Sequence, residues 1–197
     1  MHRGRPKAFE RSEALSKAIE VFWEKGFGGA AMSELTTRMG IGRQSLYDTF
    51  GDKRRLFLEA VDHYGRERVA LLEEVLAAAP TPLTGLRDLF GQLREMAQEK
   101  SFCGCMVGNA LPELGSADAE LQQALAGQLE VMAAALEGCL EAAIAGGELP
   151  ADRDPRALAR GLVATTHGIL LLGQSGLDQE FIDDALRVAE ERLLGRP

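Results

Sequence analysis

Residues 40–57 read GIGRQSLYDTFGDKRRLF. Leu46 and Phe50 stand four apart, as on one helical face, and Ile41, Leu56 and Phe57 extend the apolar set on either side. Interleaved with them are Arg43, Gln44, Ser45, Tyr47 and Thr49, and then Lys53, Arg54 and Arg55. A helix that only fills a core needs no such outer face. Gly40 and Gly42 bracket Ile41 and supply the small residues of a sharp turn between two helices. The spacing predicts a short helix from Arg43 to Phe50, with Ile41, Leu46 and Phe50 locking it inward. Its outer side carries nucleic-acid chemistry: arginine for guanine edges, glutamine for adenine edges, and hydroxyls and lysine for phosphates.

Working outward, Ala14, Leu15, Ala18, Ile19, Phe22 and Trp23 predict a first helix over 11–25, with Gly26 as its stop. Met32, Leu35, Thr36 and Met39 predict a second, ended by Gly40. Asp52 is placed to cap a fourth helix over about 53–79. Beyond Pro80-Thr81-Pro82, helices are expected near 82–100, 103–114, 117–145, 155–174 and 178–194. In the longest of these, Leu121, Leu125, Leu129, Met132, Leu136 and Leu140 make one stripe. The expected fold is all-α, with about nine helices: a three-helix helix-turn-helix unit with an N-terminal arm (1–55), then a larger helical unit (56–197).

Composition agrees. The chain has 197 residues, 46% apolar and 26% charged, with seven prolines, as in an ordinary globular protein rich in helix formers. Net charge is −8, but residues 1–55 carry +4 and residues 56–197 carry −12. That asymmetry suits one end that meets a polyanion on a body that does not. The most apolar run, GLVATTHGILLLGQSGL (161–177), contains threonines, a histidine and a glutamine, and reads as an interface helix, not a membrane span. The N-terminus has no apolar signal core and the three cysteines are odd in number, which together point to the cytoplasm and free thiols.

From Phe9 to Tyr64 the chain resembles the DNA-binding module of the TetR/AcrR family of bacterial transcriptional regulators. The features that carry the resemblance are FWEKGF (22–27), Leu35 with the Gly40-Ile41 turn, and SLYDTFGDKRRLF (45–57). The last contains the family's Leu-Tyr-x-x-Phe-x-x-Lys-x-x-Leu pattern in full. The resemblance implies base contacts from Arg43, Gln44 and Ser45, base or phosphate contacts from Tyr47 and Thr49, and a phosphate contact from Lys53. Where the family usually has Thr or Ser to cap helix two and touch phosphate, this chain has Ala31, and Ser33 sits two residues late. The segment Arg3-Gly4-Arg5-Pro6-Lys7 resembles an AT-hook core that lies in a narrow minor groove. The alternative is a basic tail that adds only counterion-release affinity.

The family likeness further implies a homodimer through residues 155–194, a palindromic operator and an effector that releases it, most often from a repressor. It implies a pocket for a small apolar or electrophilic effector, for which Phe102, Cys103, Cys105, Met106, Met132, Leu136 and His167 are the candidates. The Phe102-Cys103-Gly104-Cys105-Met106 run admits packing, thiol sensing through a lowered pKa at a helix N-terminus, or metal binding. No spacing demands a metal, and no cofactor is expected. The competing class is an all-helical thiol enzyme. Against it stand Cys-x-Cys in place of Cys-x-x-Cys, no base close in sequence, and no phosphate loop or His-Glu-x-x-His. The reading is a regulator, not an enzyme.

Overall fold

The computed structural model describes residues 9–99, 103–114 and 118–195. Among these, all regular structure is helical: α1 (Arg11–Gly29), α2 (Met32–Met39), α3 (Arg43–Phe50), α4 (Lys53–Ala78), α5 (Pro82–Gln98), α6 (Met106–Leu114), α7 (Ala119–Ala145), α8 (Pro155–Gly173) and α9 (Gln179–Leu194). The five long helices of the body start at local caps. The side chains of Asp52, Thr81, Asp118, Asp154 and Asp178 accept from backbone N–H groups in the first turns of α4, α5, α7, α8 and α9. Pro82 and Pro155 follow their caps at the first helical position, where the missing N–H costs nothing. Helices α1–α3 start at Glu10, Ala31 and Gly42 with no side-chain cap, so packing and the turns between them carry more of their stability. Ala31 leaves α2 uncapped, as the departure from the family pattern implies.

The turn between α2 and α3 is built on Gly40, whose φ of 67° is the left-handed conformation that closes a helix. Its N–H and that of Ile41 donate to the last carbonyls of α2. Leu35, Leu46, Leu56 and Phe22 are buried together with Phe50 and Phe57, so three short helices lock onto the start of α4. Phe57 meets Phe22 and Phe27 edge-on at 5.0 and 5.1 Å between centroids.

α1 departs from its expected end. The chain does turn at Gly26 (φ 69°), but one more helical turn follows to Gly29. The cause is distant in sequence: the Glu113 carboxylate at the end of α6 accepts from the N–H groups of Phe27 and Gly28. That carboxylate serves as a cap from 86 residues away. α6 starts at Met106, three residues later than expected, because Gly104 adopts a φ of 73° that ends any earlier helical path.

In the body, α7 packs between α4 and α8, and α5 packs against α4, α8 and α9. The expected stripe on α7 is real in its inner members: Leu121, Leu125, Leu136 and Leu140 are buried, while Leu129 and Met132 are half-buried. Arg54 ties the start of α4 to the start of α7, with Nε and Nη2 on the Asp118 carboxylate at 2.6 and 2.9 Å and Nη2 also on Glu120 at 2.6 Å. No helix among the described residues is long and apolar enough to cross a membrane.

Candidate nucleic-acid interface and ligand cavity

α3 turns Leu46 and Phe50 into the core and leaves Arg43, Gln44 and Tyr47 exposed. The Arg43 guanidinium stands 5.8 Å from the Tyr47 ring centre, and Gln44 Nε2 donates to Asp48 one turn on at 2.8 Å. Both interactions hold long side chains against the helix without burying them. Ser45 is half-buried. Thr49 is too, and its hydroxyl is buried with no hydrogen-bond partner, so it does not face outward with the others. Lys53, expected to contact phosphate, is held against the end of α1. Its Nζ donates to the Gly28 carbonyl at 3.3 Å and stands 4.8 Å from the Phe27 ring. Burial pushes its pKa down, against the opposing pull of Glu113. Arg3, Arg5 and Lys7 lie outside the described residues.

Between α1, α4, α5, α7 and α8 the body forms a partly open cavity of about 170 Å³. Its walls are mostly apolar, with Leu72, Leu86, Phe90, Met96, Met132 and Leu136 among them. Trp23 of α1 closes one side, and its indole N–H donates to the Gly104 carbonyl at 2.9 Å. A second, larger space of about 530 Å³ lies between α6, α7 and α8, and Cys105 and His167 line both. Of the residues expected to bind an effector, Cys105, Met132, Leu136 and His167 therefore line the first cavity. Met106 is buried core outside both spaces, and exposed Cys103 lines neither; its carbonyl accepts from Asn109 Nδ2 at 2.5 Å. Phe102 lies outside the described residues.

Cys105 stands at the N-cap of α6, its carbonyl accepting from Asn109 N at 2.8 Å. Tyr64 donates its hydroxyl to Cys105 Sγ at 3.7 Å. His167 Nδ1 lies 2.8 Å from the Val163 carbonyl. A carbonyl only accepts, so Nδ1 carries the hydrogen and the neutral ring offers Nε2 as an acceptor. Nε2 is buried without a well-aligned hydrogen bond, and its electrostatic partner is the Cys105 thiol. Burial pushes the Cys105 pKa up, but His167, the Gly108 N–H and Tyr64 outweigh it, so the thiol lies below its ordinary value. Burial pulls His167 down, but Cys105 and the Val163 carbonyl together outweigh it, and the net shift is upward. Burial and the adjacent sulfur push Tyr64 up as well, to a pKa well above an ordinary phenol. No group of three His, Cys, Asp or Glu disposed to hold a metal occurs among the described residues.

The sequence reading did not assign Trp23, Tyr64, Arg68 or Glu113 to a functional site. Tyr64 and Arg68 are four apart on α4, a visible helical pairing, but nothing local marks which face of so long a helix meets a cavity. Glu113 carries no local signal at all.

An exposed polar α3 behind a glycine turn, set on an all-helical body with a mostly apolar cavity, defines a helix-turn-helix regulator. Comparison with known proteins specifies the family. Residues 14–60 match the model for bacterial regulatory proteins of the tetR family, and residues 82–189 match that for the tetracyclin repressor-like C-terminal domain. The chain is similar to the uncharacterized HTH-type transcriptional regulator YezE of Bacillus subtilis (strain 168). The two are 34% identical over 191 residues, covering 94% of this chain and 97% of YezE. It is similar to the transcriptional regulator AcuR of Cereibacter sphaeroides, with 32% identity over 173 residues, 86% of this chain and 78% of AcuR. Among solved structures, a cysteine mutant of the TetR-family regulator CifR, complexed with 26-bp double-strand operator DNA, superposes with a TM-score of 0.82. Its identity is 30%, over 98% of this chain and 100% of that one. The chain belongs to the tetR family of bacterial transcriptional regulators.

Proposed function

We propose that this chain is a cytoplasmic, homodimeric repressor that binds a palindromic operator and leaves it when an effector fills the body cavity. In this reading residues 1–55 form the DNA-binding unit and residues 56–197 the ligand-binding and dimerisation unit. The observation that carries it is the exposed face of α3. Arg43, Gln44 and Tyr47 stand outward from a helix anchored by Leu46 and Phe50, on a fold whose relative CifR was solved on operator DNA. Two such helices must lie about 34–36 Å apart to enter successive major grooves on one face of a duplex. An effector that prefers a body with another spacing drains the DNA-competent population, to the extent of its differential affinity for the two states. The link to the cavity is physical. Trp23 and the Gly104–Cys105 segment border the cavity, and α6 runs from there to Glu113, which holds the Phe27–Gly28 turn beside Lys53. Selection of bound duplexes from random DNA with the full chain tests the reading. A palindromic consensus supports it, and indifference to every duplex at low ionic strength ends it.

A second reading, thiol sensing through Cys105, is favoured by the Tyr64–Cys105–His167 contact. With an alkene conjugated to a carbonyl, the thiolate sulfur forms a bond to the β-carbon. The π electrons pass to the enolate, and the His167 imidazolium returns the proton to the α-carbon. Cys105→Ser separates this reading from plain ligand binding: operator release by such an electrophile that survives the substitution removes it.

A further inference from the structure

Arg68 projects from α4 one turn past Tyr64, and its guanidinium carbon stands 5.4 Å from the centre of the Tyr64 ring. It lines the 170 Å³ cavity, where its Nε is buried with no hydrogen-bond partner. Neighbouring charges on α4 are answered: Arg66 pairs with Asp62, and His63 contacts Glu67. Arg68 has no carboxylate within ion-pair distance among the described residues, and no aspartate or glutamate lines the cavity. Residues 1–8, 100–102, 115–117 and 196–197 contain no acidic side chain, so they have none to answer it with. The other polar groups in the lining are neutral or basic: Tyr64, Gln92, Thr166 and His167, with the Cys105 thiol.

A buried guanidinium edge without a partner carries a desolvation cost that an anion would offset. The planar fork of arginine suits a carboxylate, which it holds through two parallel hydrogen bonds. Most of the remaining wall is hydrocarbon, which disfavours a bare inorganic anion and asks for an apolar body. As a guide to size, a dry cavity of about 150 Å³ in another protein accepts benzene. We propose that the cavity takes a compact organic carboxylate, with a body about the size of one aromatic ring against Leu86, Phe90 and Met132 and its carboxylate on Arg68. This rests on the reading of the cavity as an effector site and assigns the chemical class of the effector.

The experiment is calorimetric titration of the purified full-length protein with benzoate, benzamide, benzylamine and inorganic phosphate. Benzoate is expected to bind roughly ten- to a hundredfold tighter than benzamide, the range for a hydrogen bond to a charged group. Benzylamine and phosphate are expected to bind more weakly than either. Arg68→Met should abolish the preference, so that benzoate no longer binds more tightly than benzamide, while Arg68→Lys should retain part of the preference. Equal affinity for acid and amide in the wild type overturns the assignment, as does an intact preference in Arg68→Met or binding of none of the probes. The wild-type acid–amide ratio decides the matter even if Arg68→Met fails to fold. Operator release is read separately. Benzoate that binds through Arg68 without releasing DNA removes the effector reading and leaves the anion site standing.

Discussion

Arg43 and Lys53 are both cations beside the same core, yet they are held differently and should fail differently. Arg43 is exposed beside the Tyr47 ring and forms no ion pair among the described residues, so it can lay its fork on a base edge. Arg43→Ala should cost about 1–3 kcal/mol and relax the preference at one position per half-site. Binding measured over a set of single-base operator variants checks this, and an unchanged pattern would remove its assigned role. Lys53 is partly buried over Phe27 and donates to Gly28, so its charge is fixed close to the end of α1. Lys53→Met should weaken all duplexes alike and reduce the slope of log affinity against log salt by about one. A loss confined to particular sequences would contradict that. Thr49 shows the limit of reading roles from type alone, since its hydroxyl is turned inward.

At the scale of elements, α6 is the part that joins cavity to helix-turn-helix. Its first residue follows Cys105, and its Glu113 carboxylate holds Phe27 and Gly28. Glu113→Ala should leave effector affinity near wild type and reduce the coupling between effector and operator, which is typically about 1–3 kcal/mol. Effector titrations with and without DNA measure that coupling; full coupling in the variant would show that α6 is not the link. A second tie joins α4 to α7 through Arg54 and Asp118. The Arg54 guanidinium holds the Asp118 carboxyl at a pKa of about 2, below an unfolded aspartate near 4. Its contribution is therefore fully present above about pH 4 and is lost as the pH falls through about 2. Asp118→Asn should lower Tm by a few degrees at pH 7 and flatten the fall of Tm across that acid window. Parallel slopes for both proteins would mean that other carboxylates carry the acid sensitivity.

At the scale of the whole molecule, the last two helices keep large apolar side chains in water. Leu171 is 59% exposed on α8, and on α9 Phe181 and Val188, seven residues apart on one face, are 49% and 50% exposed. Ala164 and Gly168 precede Leu171 along the same side of α8, small enough for a second helix to approach closely. These positions fall within the segment 155–194 for which self-association is proposed. If the proposed dimer forms through this face, Leu171→Glu with Phe181→Glu should yield monomer in sedimentation equilibrium and reduce affinity for a two-half-site operator at least tenfold, with helical content retained. A double variant that remains dimeric would relocate the interface.

How much of this could be read from the chain alone divides by the range of the interaction. Helix positions, the Gly40 turn, the Asp52 cap and the outward face of α3 follow from residues within one or two turns of each other. Capping, left-handed glycine and helical periodicity act over that same short distance, so the chain by itself determined the all-α architecture and the helix-turn-helix. The end of α1 depended on Glu113, 86 residues away, and the partnering of Cys105 depended on Tyr64 and His167, 41 and 62 positions off in the chain. Cavity walls drawn from α1, α4, α5, α7 and α8 likewise carry no local mark. Periodicity tells which residues of a helix share a face, but only the packed tertiary structure decides what that face meets. For that reason the placing of Arg68 in a mostly apolar chamber without an acidic side chain, and with it the sign of the charge a ligand should carry, emerged only from the folded molecule.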